Sequence, residues 1–139
     1  SRGLGDVYKR QVVKRRQREE VQKWIDILDV RPNNPNMLAS QLSGGNQQKV
    51  VIAKWLSTNT KIIIIDEPTN GVDIGAKAEI HQIIRKAAAD GCAVLVISSE
   101  LPEILSVSDR ILVMRKGRIS GEYENHEITQ EMIMEKAVI

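Results

Sequence analysis

Two kinds of hydrophobic spacing divide the chain. From residue 12 to about 60 the spacing is helical. "EEVQKWIDILDV" puts Val21, Trp24, Ile25 and Leu28 at i, i+3, i+4 and i+7, one face of an amphipathic helix. "RPNNPN", with two prolines and three asparagines, ends it. The run "QQKVVIAKWLS" after Gly44-Gly45 is apolar on most sides through Val50, Val51, Ala53, Trp55 and Leu56, which predicts a buried helix. From Lys61 onward strands and helices alternate. Residues 62–65 and 93–98 predict strands with no polar alternation, as in a sheet covered on both faces. Between them, residues 75–89 predict a helix with Ala76, Ile80, Ile83, Ile84 and Ala87 on one face. Residues 101–105 form a short helix, and "RILVMRKGRISGEY" predicts two strands joined by a hairpin turn at Lys116-Gly117. "ITQEMIMEKAVI" closes the chain as a helix in which Met132 and Met134 pack. Alternating strands and helices with continuous apolar strands predict an α/β fold with a largely parallel sheet. The division expected is a helical part over 12–60 and a core over 61–139. The opening "SRGLGDVYKRQ" has neither period, reads as a cloning or assembly scar, and is set aside from fold reasoning.

The strand pattern also carries chemistry. "KIIIIDEPTNGVDIGAKAEI" runs four isoleucines straight into Asp66 and Glu67. Adjacent carboxylates at the mouth of a parallel sheet suit a metal and a water beside a phosphate. The phosphate itself needs a loop of the form G-x-x-x-x-G-K-[ST]. "GVDIGAKA" fails that test, because Ala76 and Ala78 stand where the second glycine and the hydroxyl belong. A second stretch, "LSGGNQQKV", sets Ser43, Gly44, Gly45 and Asn46 directly before a helix. Glycines allow close backbone approach, and a helix start offers unpaired N–H donors and a positive dipole end. That combination suits an anion, with the Ser43 hydroxyl as a further donor.

Composition narrows the field. At 139 residues the chain is about one domain long. A net charge of +2 argues against a nucleic-acid binder driven by its overall field. "KRRQR" lacks interleaved aromatics and reads as a solvated helix face. No apolar run approaches the roughly 18–20 residues of a bilayer span, and no apolar h-region follows the early basic residues. The single cysteine, Cys92, excludes an internal disulfide, fits a reducing compartment and sits in a strand-like run as a small buried thiol. His81 and His126 are expected to be solvated, and no His/Cys/Asp cluster has zinc-ligand spacing.

"LSGGNQQKV" followed by "IIIIDEPTNGVD" resembles the signature loop, Walker B strand and D-loop of an ABC-type ATPase. The resemblance covers residues 12–139 and corresponds to the C-terminal part of one nucleotide-binding domain. It implies a phosphate-loop NTPase fold whose phosphate-loop part is not within these residues, so the chain is expected to be a fragment. It further implies that Asp66 holds Mg²⁺, that Glu67, pointing opposite to Asp66 along the strand, polarises the attacking water, and that Asp73 touches an opposite domain. As a helix-entry acid Asp73 also has a plain structural use. Ser43, Gly44, Gly45 and Asn46 would donate to the γ-phosphate of an ATP gripped by another ATPase half, in cis or in trans.

Two departures refine the resemblance. Asn46 stands where glutamine is usual, and Ser99 in "ISSELPE" stands at the switch-histidine position. Losing a preorganised donor there costs on the order of 10²–10³ in rate. Both departures resemble the second half of tandem ATPase subunits that drive import of ribose, galactose or xylose. The implied partners are a second ATPase half, a membrane permease and, indirectly, a periplasmic sugar-binding protein, with no nucleic acid. The implied place is peripheral, on the cytoplasmic face of the cell membrane. Two other functions compete: a soluble ABC ATPase outside transport, and a non-catalytic module that only supplies its signature loop.

Overall fold

The computed structural model describes residues 14–126 and 128–138. The set-aside segment 1–11 lies outside them. The chain forms two compact units, one running to Asn59 and the other beginning at Thr60.

In the first unit, α1 (Lys14–Ile27) leads through a 3₁₀ turn (Ala39–Gln41) to α2 (Gly44–Leu56). The loop that ends α1 is held back onto it by polar side chains. Asn33 Nδ2 donates to Asp26 Oδ1 at 2.9 Å, and Gln22 Nε2 donates to Asn33 Oδ1 at 2.6 Å. Leu28, Val30 and Ile52 are buried, and so is Lys49, whose Nζ donates to the Asp29 carbonyl at 2.9 Å. The fully buried α2 expected from its sequence is not found. Gly45, Lys49 and Ile52 form its buried stripe, whereas Val51 and Trp55 stay 49% and 51% exposed. An apolar surface on several sides of a helix is buried only where neighbours cover each side, and the described residues cover one. Val21, Trp24, Ile25, Met37, Leu42 and Ala53 line an open apolar cleft of about 300 Å³.

In the second unit, β1 (Ile62–Asp66) and β2 (Ala93–Ile97) run parallel and are joined by α3 (Ile74–Ala89). The register pairs Ile63 with Val94, Ile65 with Val96 and Asp66 with Ile97, so both strands end at one edge. Ile63 and Ile65 are buried, as are Ile80, Ile83, Ile84 and Ala87 of α3, the helix face that the period predicts. The opposite sheet face is open. Ile62 and Ile64 are each 65% exposed, and Leu95 and Ile97 48%, which corrects the expectation of a sheet covered on both faces.

The remaining elements are α4 (Leu101–Val107), β3 (Arg110–Arg115), β4 (Arg118–Glu124) and α5 (Gln130–Val138). β3 and β4 form a separate antiparallel sheet, so the parallel part is the β1–β2 pair. Lys116 and Gly117 turn the hairpin with φ of 48° and 76°, as a tight two-residue turn with positive φ at both centres requires. Ile111, Val113 and Ile133 form its core, with Leu101, Ile104 and Leu105 of α4 packed against them. Met132 and Met134 face outward, and Cys92 is half-buried.

Ile80 is fully buried between α3 and its neighbours. Ile80→Ala should lower unfolding free energy by about 2–5 kcal/mol. Urea titration of the two chains, followed by circular dichroism, checks this.

Candidate functional site

The first unit presents the Ser43–Asn46 turn. Ser43 is the N-cap of α2, in extended backbone, and its Oγ accepts from the Asn46 backbone N–H at 3.5 Å. Asn46 Nδ2 reaches the same Oγ at 2.9 Å. On its other side, Asn46 Oδ1 accepts from the Arg31 N–H at 2.9 Å. Asn46 therefore braces the turn internally and ties it to the loop behind. With Oγ accepting twice, the Ser43 hydroxyl proton is left to donate outward. The N–H groups of Gly44 and Gly45 lie in the first turn of α2, where no intrahelical acceptor exists. Gln47 steadies the same turn, donating from Nε2 to the Leu42 carbonyl at 2.9 Å.

The second unit presents Asp66 and Glu67. Asp66 is the last residue of β1, exposed, and its carboxylate makes no hydrogen bond or ion pair among the described residues. Glu67 lies past the end of the strand with φ of 47°, a left-handed conformation. Strand alternation with Asp66 therefore does not set its direction, as the sequence had suggested. Such a backbone costs roughly 1–2 kcal/mol for a residue with a Cβ. Two hydrogen bonds hold it. The Glu67 N–H donates to the Ile97 carbonyl at 2.8 Å, and Glu67 Oε1 accepts from the Ser99 N–H at 2.9 Å. The structure thus brings Glu67 and Ser99 together, through the amide of Ser99. Further along, Asp73 Oδ1 accepts from the Ala76 N–H at 2.9 Å and caps α3.

Behind these loops lies a buried polar cluster that sequence reasoning missed. Thr69 Oγ1 donates to Glu103 Oε1 at 2.8 Å, and His81 Nε2 meets the same oxygen at 2.9 Å. The Glu103 and His81 side chains are only 2% and 13% exposed, so His81 is not the solvated residue expected. Its other nitrogen meets Ser106 Oγ at 3.1 Å. Glu103 Oε2 is buried and lies beyond hydrogen-bond distance of any partner among the described residues. Burial pushes the Glu103 carboxyl up, but the Ser98, His81 and Thr69 side chains outweigh it and hold the group below the usual carboxylate range. One signal was available in the sequence: Lys77, His81 and Arg85 recur every four residues beside the apolar face of α3.

An apolar strand thus ends in two acids, and the chain turns through a left-handed residue before it re-enters a capped helix. A family model described as "ABC transporter" matches residues 5–70, and the chain belongs to that family. Over 95 residues, 68% of the chain, it is 62% identical to a xylose import ATP-binding protein of Geobacillus kaustophilus, covering 19% of that protein. Over all 139 residues it is 51% identical to a ribose import ATP-binding protein of Agrobacterium fabrum, covering 26% of it. The chain therefore spans about a fifth to a quarter of the length of the curated relatives it matches. Among solved structures, an ATP-binding cassette of an ABC transporter superposes with a TM-score of 0.76 at 27% identity, over 96% of this chain and 55% of that one. A dimeric cassette bound to ADP and phosphate gives 0.72 at 26% identity, over 92% of this chain and 52% of that one.

The depressed Glu103 carboxyl fixes the sign of a pH effect. Its stabilisation is fully present above the unfolded value of about 4.3 and is lost as pH falls through the lower folded value. The stability advantage of the native chain over Glu103→Gln should be largest near neutrality and shrink below about pH 4. Urea midpoints of both chains across that range check it.

Proposed function

We propose that this chain is the part of a monosaccharide importer's ABC-type ATPase that completes a nucleotide site whose phosphate loop another ATPase half provides. Ser43, Gly44 and Gly45 donate hydrogen bonds to the terminal phosphate of that ATP, while Asn46 holds Ser43 in position. The observation that carries this reading is the braced turn at the start of α2, where Ser43 and Gly44 are exposed. Its donors are preorganised and find no acceptor among the described residues, which is what a developing phosphoryl charge requires.

Asp66 fits Mg²⁺, which binds through one or two carboxylates plus phosphates and water rather than through an all-protein cage. Its carboxylate is exposed and unengaged, and no group of three metal-binding side chains occurs among the described residues. Bound there, Mg²⁺ would neutralise charge on the phosphates. Glu67 orients the attacking water at this second site, and Asp73 meets the opposite half. Ser99 has neither the reach nor the ring of histidine, so this second site turns over slowly and the donated turn is the chain's main contribution. The names of the relatives favour import over a soluble role: they are ribose and xylose import proteins. That reading brings with it a membrane permease, a periplasmic sugar-binding protein acting through it, and a peripheral place on the cytoplasmic membrane face. Among the described residues, no helix is long and apolar enough to cross a membrane.

The 139 residues contain no run of the form G-x-x-x-x-G-K-[ST]. The chain by itself should accordingly bind no ATP at micromolar concentration in calorimetry. Within an assembled importer, Ser43→Arg should lower ATP turnover on the order of 10²–10³-fold, read as phosphate release. Glu67→Gln should leave most of that turnover intact. Abolition of activity by Glu67→Gln alone contradicts the assigned asymmetry.

A further inference from the structure

Three side chains of α3 reach the segment that follows β2, and one of them meets Thr69 on a single buried carboxylate. Lys77 Nζ pairs with the Glu100 carboxylate at 2.6 Å, His81 meets Glu103, and Arg85 Nη1 donates to the Ser106 carbonyl at 2.8 Å. Residues 77, 81 and 85 are spaced at four, so they lie along one side of α3 facing α4. Thr69 enters from the opposite direction, out of the turn that follows Glu67, and is 1% exposed. Glu103 Oε1 therefore receives the β1 turn through Thr69 and α3 through His81, while its own helix begins just past Ser98, Ser99 and Glu100.

A buried carboxylate is a costly way to fill a core position, the more so with one oxygen outside any hydrogen bond among the described residues. A well-packed apolar residue is often as stable or more so. What the charge supplies is a fixed register between two loops. We propose that Glu103 is a positioning residue: with Thr69 and His81 it clamps the β1 turn to the start of α4 and so sets the contact between the Glu67 carboxylate and the Ser99 amide. The clamp acts through Glu67 and does not itself touch nucleotide. Its importance for turnover rests on the function proposed above, but its geometry does not.

Amide hydrogen exchange by NMR on the 139-residue chain, without nucleotide, tests the clamp independently of any ATPase activity. In Glu103→Leu and in Thr69→Val, protection at the Ser99 and Glu67 amides should fall about tenfold or more. The amides of Ile83 and Ile84 in the middle of α3 should keep their native rates. Glu103→Gln retains an acceptor for Thr69 and His81 and should restore protection at Ser99. Unchanged protection at Ser99 and Glu67 in both disruptive variants overturns the proposal, and so does an equal loss at all amides. Thr69→Val removes one hydroxyl at nearly constant volume and decides the matter if Glu103→Leu does not fold.

Discussion

The mouth of the β1–β2 pair depends on a backbone that leaves its strand abruptly. Asp66 still pairs with Ile97, and one residue later the chain is left-handed at Glu67. A conformation of that kind persists only where surrounding contacts over-determine it. Here they do so from both sides. The Ile97 carbonyl takes the Glu67 N–H, the Ser99 amide takes its carboxylate, and two residues on Thr69 is anchored on Glu103. Without these contacts the turn would relax, and the two acids would lose their relation to the end of β2.

That dependence explains why the polar content of the second unit is distributed as it is. The apolar side of α3 packs against β2, which fixes the helix but not the loops at the sheet edge. The loops are fixed by a second, polar side of the same helix. Lys77, His81 and Arg85 each find a partner between Glu100 and Ser106, so α3 organises the sheet with one face and the edge loops with another. The first unit follows a similar logic on a smaller scale. Asn46 spends both ends of its amide on protein partners, and among the described residues the Ser43 hydroxyl proton and two glycine N–H groups are left without an acceptor.

The elements themselves were legible because periodicity reports local geometry. The 80/83/84/87 face, the apolar strand into Asp66-Glu67 and the Lys116-Gly117 hairpin could all be read from neighbours in sequence. Burial was less legible. Val51 and Trp55 on α2, and Ile62 and Ile64 on β1, are apolar positions with no covering partner among the described residues, and a pattern of apolar residues cannot say which faces find one. The turn at Ser43 was readable from its glycines, but the inward use of Asn46 was not, since its acceptor role depends on Arg31, fifteen residues earlier. His81 was misread for the same reason. A histidine in a helix beside glutamine looks solvated, and the partner that buries it is twenty-two residues away.

In the function proposed above, Ser99 stands where a histidine is expected, and its amide bears on what that exchange does. A side chain at this position can reach a phosphate only if the backbone beneath it is held, and the backbone is held here by Glu67. The carboxylate that orients water in the proposed reaction is therefore also the group that anchors the switch position. Because that anchor uses the main chain, it survives any side chain at 99 that leaves the backbone unchanged. On that reading, serine in place of the ring removes a donor while leaving the frame that would have aimed it. On the proposed reading, the segment keeps the frame of a hydrolytic site and the packing that depends on it, while its own chemistry is weak and the Ser43 turn serves a nucleotide held elsewhere.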